Sequence, residues 1–152
     1  MKHNDYMRLA LEEAQLAAVA GDVPVGAVIV KDGSVIACAH NMKEALNAPT
    51  AHAEILAIRE AAKVLGNWRL TGCCIYVTLE PCPMCAGAIV AARLSRLVFA
   101  APDSIWGAVG SVFHIPAHLN ANHDTEVTGG IMEKEAAFLL KDWFALKRGS
   151  VK

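Results

Sequence analysis

The sequence predicts an α/β domain with three layers, in which helices cover both faces of a five-stranded mixed sheet. Two observations carry this prediction. Two apolar segments are joined by Asp32-Gly33, a dipeptide typical of tight hairpins, so the sheet is expected to begin with an antiparallel pair. Further on, a strand, a helix and a strand follow one another between residues 74 and 100, which is the order of a right-handed parallel crossover.

The first half of the chain supplies an amphipathic helix, the hairpin and a second helix. Helical spacing of apolar residues, alternation and turn residues predict, in order, a helix over 5–20, strands over 25–30 and 35–39, a polar loop over 41–49 and a helix that reaches residue 65. Thr50 is the expected N-cap of that second helix, and Gly66 is expected to end it. Its inward face is expected to consist of Ile55, Leu56, Ile58, Ala62 and Leu65.

The second half completes the sheet. Its predicted elements are a strand over 74–78, a helix over 84–92, a strand over 95–100, an irregular region over 101–122, a short strand over 126–128 and a closing helix over 132–147. The helix over 84–92 is apolar nearly all round, which predicts burial. The closing helix carries an apolar stripe that is expected to join the core, formed by Ala136, Leu139, Leu140, Trp143 and Phe144.

Composition limits the classes of function. A length of 152 residues suits a single domain over 1–152, and a net charge of −1 leaves RNA binding to depend on local patches of positive charge. An apolar content of 55% is high for a monomer of this size, so we expect a homodimer. Five cysteines, with no signal peptide and no membrane span, predict a cytoplasmic protein; Cys38, Cys73 and Cys74 are expected to be buried free thiols.

Two short motifs carry the chemistry. His52-Ala53-Glu54 precedes the second helix, and Pro81-Cys82-Pro83-Met84-Cys85 follows the third strand. Cys82 and Cys85 share a face if a helix begins near Pro83, and a helix N-terminus favours the thiolate form that binds metals. One imidazole and two thiolates make three zinc ligands, which leaves a fourth position open, as in catalytic rather than structural zinc sites. Glu54 would lie beside the metal as a proton carrier.

Other interpretations compete with this one. A lone Cys-x-x-Cys is also typical of redox sites and of structural zinc sites. A structural site would need a fourth cysteine or histidine ligand, and none stands out at suitable spacing. The combination of His-x-Glu with a later Pro-Cys-x-x-Cys is much more specific, because it is the signature of zinc deaminases that act on nucleobases.

Most of the chain resembles the bacterial tRNA-specific adenosine deaminases, the TadA family. Beyond the two motifs, the resemblance rests on Asp22-Val23-Pro24-Val25-Gly26-Ala27, His40-Asn41, Gly66-Asn67-Trp68-Arg69-Leu70, and Gly107-Ala108 with Gly110-Ser111. It implies a cytidine-deaminase-like fold, a homodimer, and conversion of a wobble adenosine in a tRNA anticodon loop to inosine. It further implies one zinc ion per subunit held by His52, Cys82 and Cys85, with Glu54 moving protons. Asn41 and the backbone N–H of Ala53 would bind the base, and Val25 and Gly26 would wall the pocket.

Two segments depart from that family pattern. A basic residue is usual shortly after Asp103, where this chain reads Ser104-Ile105-Trp106, and Asn-His-Arg is usual where this chain reads Asn122-His123-Asp124. Loss of positive charge favours a second hypothesis, a deaminase of a free base or nucleoside of the guanine or cytosine type. A third is a zinc-containing RNA-binding module without turnover, which would not need Glu54. Trp106 could stack on a base or cover the core or an interface, and His123 could face the substrate.

Overall fold

A five-stranded mixed sheet forms the centre of the protein, in a computed structural model that describes residues 2–118 and 124–150. The elements in chain order are α1 (His3–Val19), β1 (Gly26–Lys31), β2 (Ser34–His40), α2 (Lys43–Leu46), α3 (Ala53–Leu65), β3 (Cys73–Leu79), α4 (Pro83–Ala91), β4 (Arg96–Ala101), α5 (Ile115–His118), β5 (Glu126–Thr128) and α6 (Glu133–Ser150). The strand order is β2-β1-β3-β4-β5, with β1 antiparallel to β2 and β3, and β4 parallel to β3 and β5. The predicted fold class is therefore confirmed.

The hairpin and the crossover form where the sequence predicts them. Asp32 and Gly33 both have positive φ, 50° and 77°, which is the backbone of a tight turn whose twist matches the flanking strands. The β3–α4–β4 crossover delivers α4 directly after Leu79, at the carboxyl end of the central strand. The polar loop expected over 41–49 contains the additional one-turn helix α2.

Two layers of helices cover the sheet. One apolar cluster lies between the sheet and α1, with Ala136 of α6, and includes the fully buried Met7 and Val98. A second cluster lies on the α3 and α4 side and includes the fully buried Ile75 and Leu97. In the part of the chain that the structure describes, no helix has the length and apolar character needed to cross a membrane.

The buried face of α3 differs from the predicted one. Ala53, Glu54, Ala57 and Ala61 are buried, whereas the large residues Ile55, Leu56 and Ile58 are only partly covered. Small side chains at the contact let the helix axis approach the sheet closely, so the branched residues lie at its edges. Ile58, Ala62 and Leu65 still pack against the core while partly buried, so the prediction from apolar spacing holds in part and missed the fully covered face.

The predicted burial of α4 and of the closing helix holds only in part. Cys85, Ala86, Ile89 and Val90 are buried in α4, but Met84 and Ala91 are exposed on its other side. In α6 the expected core stripe has one buried member, Ala136. Leu139, Leu140 and Trp143 are partly covered and Phe144 is 44% exposed. Leu140 packs against the core while partly buried, and Leu140 and Phe144 also line the site described next.

Candidate active site

His52, Cys82 and Cys85 come together at the N-termini of α3 and α4. Their ligand atoms all lie within 4.8 Å of one another. His52 Nδ1 is 3.7 Å from Cys82 Sγ and 3.5 Å from Cys85 Sγ. A tetrahedral zinc ion with bonds of about 2.3 Å to sulfur and about 2.0 Å to nitrogen holds those atoms roughly 3.6 Å apart. The two distances from His52 Nδ1 to the sulfur atoms therefore suit a tetrahedral zinc ion.

The start of α4 explains how two thiols reach one point. Cys82 occupies the N-cap position in an extended conformation, Pro83 follows at the first helical position, and Cys85 lies one turn along. Proline is suited to that position because its missing N–H has no partner within the helix anyway. Hydrogen bonds from Cys85 and His52 lower the pKa of the Cys82 thiol to about 4, whereas the hydrogen bond to Cys82 and burial raise that of Cys85. The lowered pKa favours the thiolate form of Cys82, which is the form that binds metals.

The start of α3 is one place where local sequence signals misled. His52, not Thr50, occupies the N-cap position, and its side chain makes no cap hydrogen bond. Asn41 supplies the missing acceptor from twelve residues earlier: its Oδ1 accepts from the N–H of Ala53 at 2.8 Å, and both residues are buried. The His52 side chain is therefore free of capping and faces the thiols.

Glu54 lies in the first turn of α3 and is 4% exposed. Burial raises the pKa of its carboxyl to about 7. A carboxyl with that pKa can both accept and release a proton at neutral pH, which is the property that acid–base catalysis requires. The Glu54 side chain also interacts with that of Cys85, so the carboxyl lies beside the three candidate metal ligands.

A cavity of about 770 Å³ opens beside this cluster. Five of the predicted site residues line it: His52, Glu54, Cys82, Asn41 and Val25. Cys85 is fully buried and is not among the lining residues. Because the N–H of Ala53 is bonded to Asn41 Oδ1, the donor that this pair offers the cavity is the amide nitrogen of Asn41. Contact between the Ala53 N–H and a base stays a prediction, and it would require this bond to be exchanged.

Val25 and Gly26, predicted together as pocket walls, have different roles. Val25 lines the cavity. Gly26 does not, because it packs against α1: a Cβ atom at this position would lie 2.0 Å from the carbonyl oxygen of Ala10 and 2.6 Å from the amide nitrogen of Ala14. The expectation that Gly26 walls the pocket is corrected accordingly. Gly26 is needed for the close approach of the helix to the strand.

Apolar side chains predominate in the lining of the cavity, which also includes the polar Lys43, Asp103 and Ser104. The segment 102–106 lines it, as do Leu140 and Phe144 of α6. Ile105 is 72% exposed and Trp106 is 59% exposed, so Trp106 does not cover the core of the subunit. Asp124 is exposed, and Asn122 and His123 lie outside the described residues. Among the non-ligand cysteines, Cys73 is buried, Cys74 is partly buried and Cys38 is exposed, which corrects the expectation for Cys38.

Glu80 is a buried carboxylate that sequence reasoning did not select. It is 2% exposed and follows β3 directly, two residues before Cys82. Burial raises the pKa of this carboxyl, but the hydrogen bonds that it accepts from Ser111, Asp103 and Val109 outweigh burial and lower the pKa below its usual value. The sequence signal available for Glu80 was its position between an apolar strand and the Pro-Cys motif. An ionised group that is buried at such a point needs hydrogen-bond donors or an opposite charge.

Comparison with known proteins gives consistent results. The chain matches the MafB19-like deaminase family over residues 1–135. It is 47% identical over 139 residues to a tRNA-specific adenosine deaminase of Bacillus subtilis, with 91% of this chain and 86% of the relative covered. A solved structure from work on A-to-I editing by tRNA:A34 deaminases matches with a TM-score of 0.87 and 47% identity, covering 90% of this chain and 99% of the other. The guanine deaminase of Nitrosomonas europaea matches with a TM-score of 0.82 and 27% identity, covering 93% and 84%.

Proposed function

Because this chain belongs to the tRNA-specific adenosine deaminase family, we propose that it hydrolyses a wobble adenosine in a tRNA anticodon loop to inosine and ammonia. The observation that carries the proposal is the cluster of His52, Cys82 and Cys85 with the buried Glu54 beside them in one cavity. An RNA-binding module without turnover would not need a carboxyl whose pKa burial raises to about 7.

The metal proposal follows from the donor set. We assign His52 Nδ1 and the sulfur atoms of Cys82 and Cys85 as ligands of one zinc ion per subunit, since their spacing fits tetrahedral zinc. Zinc bound there would act as a Lewis acid and lower the pKa of a water molecule to about 7. The N-terminus of α4 also favours metal binding, because the helix dipole stabilises the thiolate form of Cys82.

Glu54 performs the proton transfers in this proposal. Its carboxylate takes a proton from the attacking water and delivers it to the ring nitrogen N1 of adenine. A second proton passes through the same carboxyl to the departing amino group, which leaves as ammonia while the oxygen stays on C6. One group can serve both steps because the pKa of about 7 leaves both of its protonation states populated at neutral pH. The amide nitrogen of Asn41 would orient the base.

The exposed apolar side chains that line the cavity support an RNA loop as substrate. A base must leave its stack to reach Glu54, which costs least in a single-stranded loop. Trp106 and Phe144 are exposed at the mouth and line the cavity, so they can stack on the neighbouring bases. Ile105 and Asp124 replace positive charge, and we therefore expect weaker RNA affinity than in relatives with basic residues there. Free guanine is the second candidate substrate, favoured by the likeness to a guanine deaminase.

A homodimer is part of the proposal. Met84, Gly87, Ala88 and Ala91 follow one another at helical spacing on the incompletely covered side of α4, and all are apolar or small. A second copy of the chain could cover this face in a twofold arrangement, the commonest symmetry. Light scattering at micromolar concentration should give twice the subunit mass. Ala91→Arg places a charge on an exposed position, so it should give a folded monomer; a monomeric wild type would contradict the proposal.

A cytoplasmic location is likewise proposed. None of the five cysteines forms a disulfide, which suits a reducing compartment in which tRNA is also found.

The test uses an anticodon stem-loop that carries adenosine at the wobble position. Zinc-loaded wild type should form inosine, measured by nucleoside analysis after digestion. Glu54→Gln keeps the size of the side chain but cannot carry the proton, so it should retain one zinc ion per subunit and lose turnover by a factor of at least about 10². Inosine formation by Glu54→Gln within tenfold of wild type would assign proton transfer to another group.

A further inference from the structure

Glu80 is almost fully buried, where an isolated charge is strongly unfavourable, yet its carboxylate accepts four hydrogen bonds. Its Oε1 accepts from the N–H of Asp103 at 3.1 Å and from the Ser111 hydroxyl. Its Oε2 accepts from the N–H groups of Val109 and Ser111, each at 3.1 Å. The ion pairs found among the described residues do not include Glu80. Its negative charge is therefore compensated by one loop, the segment 103–111.

That loop is wrapped tightly around the carboxylate. A Cβ atom at Gly107 would lie 2.5 Å from Glu80 Oε1 and 2.4 Å from the carbonyl oxygen of Asp103. One more hydrogen bond, from the N–H of Ala108 to the carbonyl oxygen of Pro81 at 2.8 Å, ties the loop to the same strand end. The segment 103–111 is thus held by backbone groups next to Cys82, with Glu80 as its central acceptor.

The same loop forms part of the cavity. Asp103 begins a turn in which its Oδ1 accepts from the N–H groups of Ile105 at 2.9 Å and Trp106 at 3.2 Å. Ile105 and Trp106 line the cavity but are largely exposed, so packing against the core does not fix their positions. The bond from the Asp103 N–H to Glu80 ties this turn to the end of β3, in addition to the chain's own connection to β4, which ends at Ala101.

We propose that Glu80 is a positioning residue for substrate, which holds the turn over 103–106 as a fixed wall of the cavity without taking part in metal binding or proton transfer. This inference rests on the proposed deaminase function. It assigns a role in substrate affinity to Glu80 and the role in turnover to Glu54. The role needs a carboxylate, because only an ionised carboxyl presents two oxygens that accept and nothing that donates.

Glu80→Gln tests this sharply, because the amide has one acceptor and one donor. Its NH₂ group cannot face the two backbone N–H groups of Val109 and Ser111. It must instead take the position of Oε1, where the Ser111 hydroxyl can turn and accept but the Asp103 N–H loses its acceptor. Glu80→Gln should therefore release the Asp103 end of the loop and retain the other end. Ser111→Ala is the matched variant, since it removes the hydroxyl but leaves all three N–H bonds to Glu80.

The first readout is hydrogen exchange of zinc-loaded protein, which does not depend on the substrate. Exchange should become faster over 103–106 in Glu80→Gln and stay near wild type there in Ser111→Ala, with α3 and α4 unchanged in both. Unchanged exchange over 103–106 in Glu80→Gln would overturn the proposal, and so would loss of zinc from that variant. If the wild type deaminates no stem-loop, the proposed function fails while this readout still decides the role of Glu80.

The second readout is steady-state kinetics on the wobble-adenosine stem-loop. KM should rise roughly tenfold in Glu80→Gln, the scale of one hydrogen bond to a charged acceptor, while kcat stays within about twofold. A fall in kcat with KM unchanged would show that Glu80 acts on the chemistry instead. Should Glu80→Gln fail to fold, Gly107→Ala disturbs the same contact without removing the charge, because its Cβ would collide with the Asp103 carbonyl oxygen and with the Glu80 carboxylate. It must raise KM without lowering kcat for the proposal to stand.

Discussion

Adding one methyl group at Gly26 should destabilise the protein strongly. The new Cβ atom would lie 2.0 Å from the Ala10 carbonyl oxygen, whereas real Cβ contacts are essentially never below 3.0 Å. The blocking atoms belong to the backbone of α1, so no rotamer change relieves the collision, and the helix must move away by about 1 Å. Met7, Ala10 and Ala14, which are fully buried, would lose contact with the sheet. Overpacking of this kind costs about 1–3 kcal/mol, and backbone obstruction places Gly26→Ala near the upper end.

The displacement should reach the active site as well. Glu13 of α1 bonds His40 Nδ1 at 2.9 Å, and His40 directly precedes Asn41, which holds the start of α3. Movement of α1 would lengthen the Glu13–His40 bond and loosen the placement of Asn41. We therefore expect a lower kcat per folded molecule in Gly26→Ala, in addition to the loss of stability.

Thermal unfolding of the zinc-loaded protein, followed by circular dichroism, measures the effect. A cost of 1–3 kcal/mol lowers Tm by roughly 3–10 °C in a chain of this size. Gly87→Ala is the matched control, because a Cβ there meets nothing within 4 Å in the subunit and alanine favours the helix. Both variants should be measured at two protein concentrations, since Gly87 lies on the proposed dimer face. A Gly26→Ala protein as stable as wild type would refute the reasoning.

Three further predictions concern metal, stacking and charge. Cys85→Ala should lose zinc and melt at a lower temperature, because zinc binding is coupled to folding. Cys38→Ala changes an exposed thiol and should keep both its zinc and its melting temperature. Metal analysis showing full zinc occupancy in Cys85→Ala would contradict the ligand assignment. Trp106→Ala should weaken stem-loop binding by about 1–3 kcal/mol, the contribution of one stacked base. If fluorescence titration gives the variant and the wild type the same affinity, Trp106 does not contact the RNA. Asp124→Arg should tighten stem-loop binding by about 1 kcal/mol and make the affinity depend more steeply on salt. Turnover of bound RNA should stay nearly unchanged. If the substitution leaves the affinity unchanged, Asp124 lies away from the RNA.

The sequence predicted those parts of the structure that depend on local spacing. The hairpin at Asp32-Gly33, the crossover and the five strands follow from patterns a few residues long, and all are present. The metal cluster could also be predicted, because Cys82 and Cys85 share one helix start and His52 belongs to a second motif of the same signature.

What the sequence could not predict depends on contacts between distant residues. The cap of α3 comes from Asn41 rather than Thr50, and no local pattern records a bond across twelve positions. Gly26 looked like a pocket residue because it lies next to Val25, but its role is set by α1. Glu80 is compensated by donors 23 to 31 residues further on, which no motif near Pro81 reveals.

A direct competition between the two candidate substrates tests the central claim. Zinc-loaded wild type is incubated with equal concentrations of free guanine and of a stem-loop carrying a single adenosine at the wobble position, and inosine and xanthine are both quantified over time. The proposed function predicts that inosine forms in proportion to the stem-loop consumed, more slowly at higher salt, while guanine is unchanged. Formation of xanthine with the wobble adenosine intact would contradict the account and identify a deaminase of free purines.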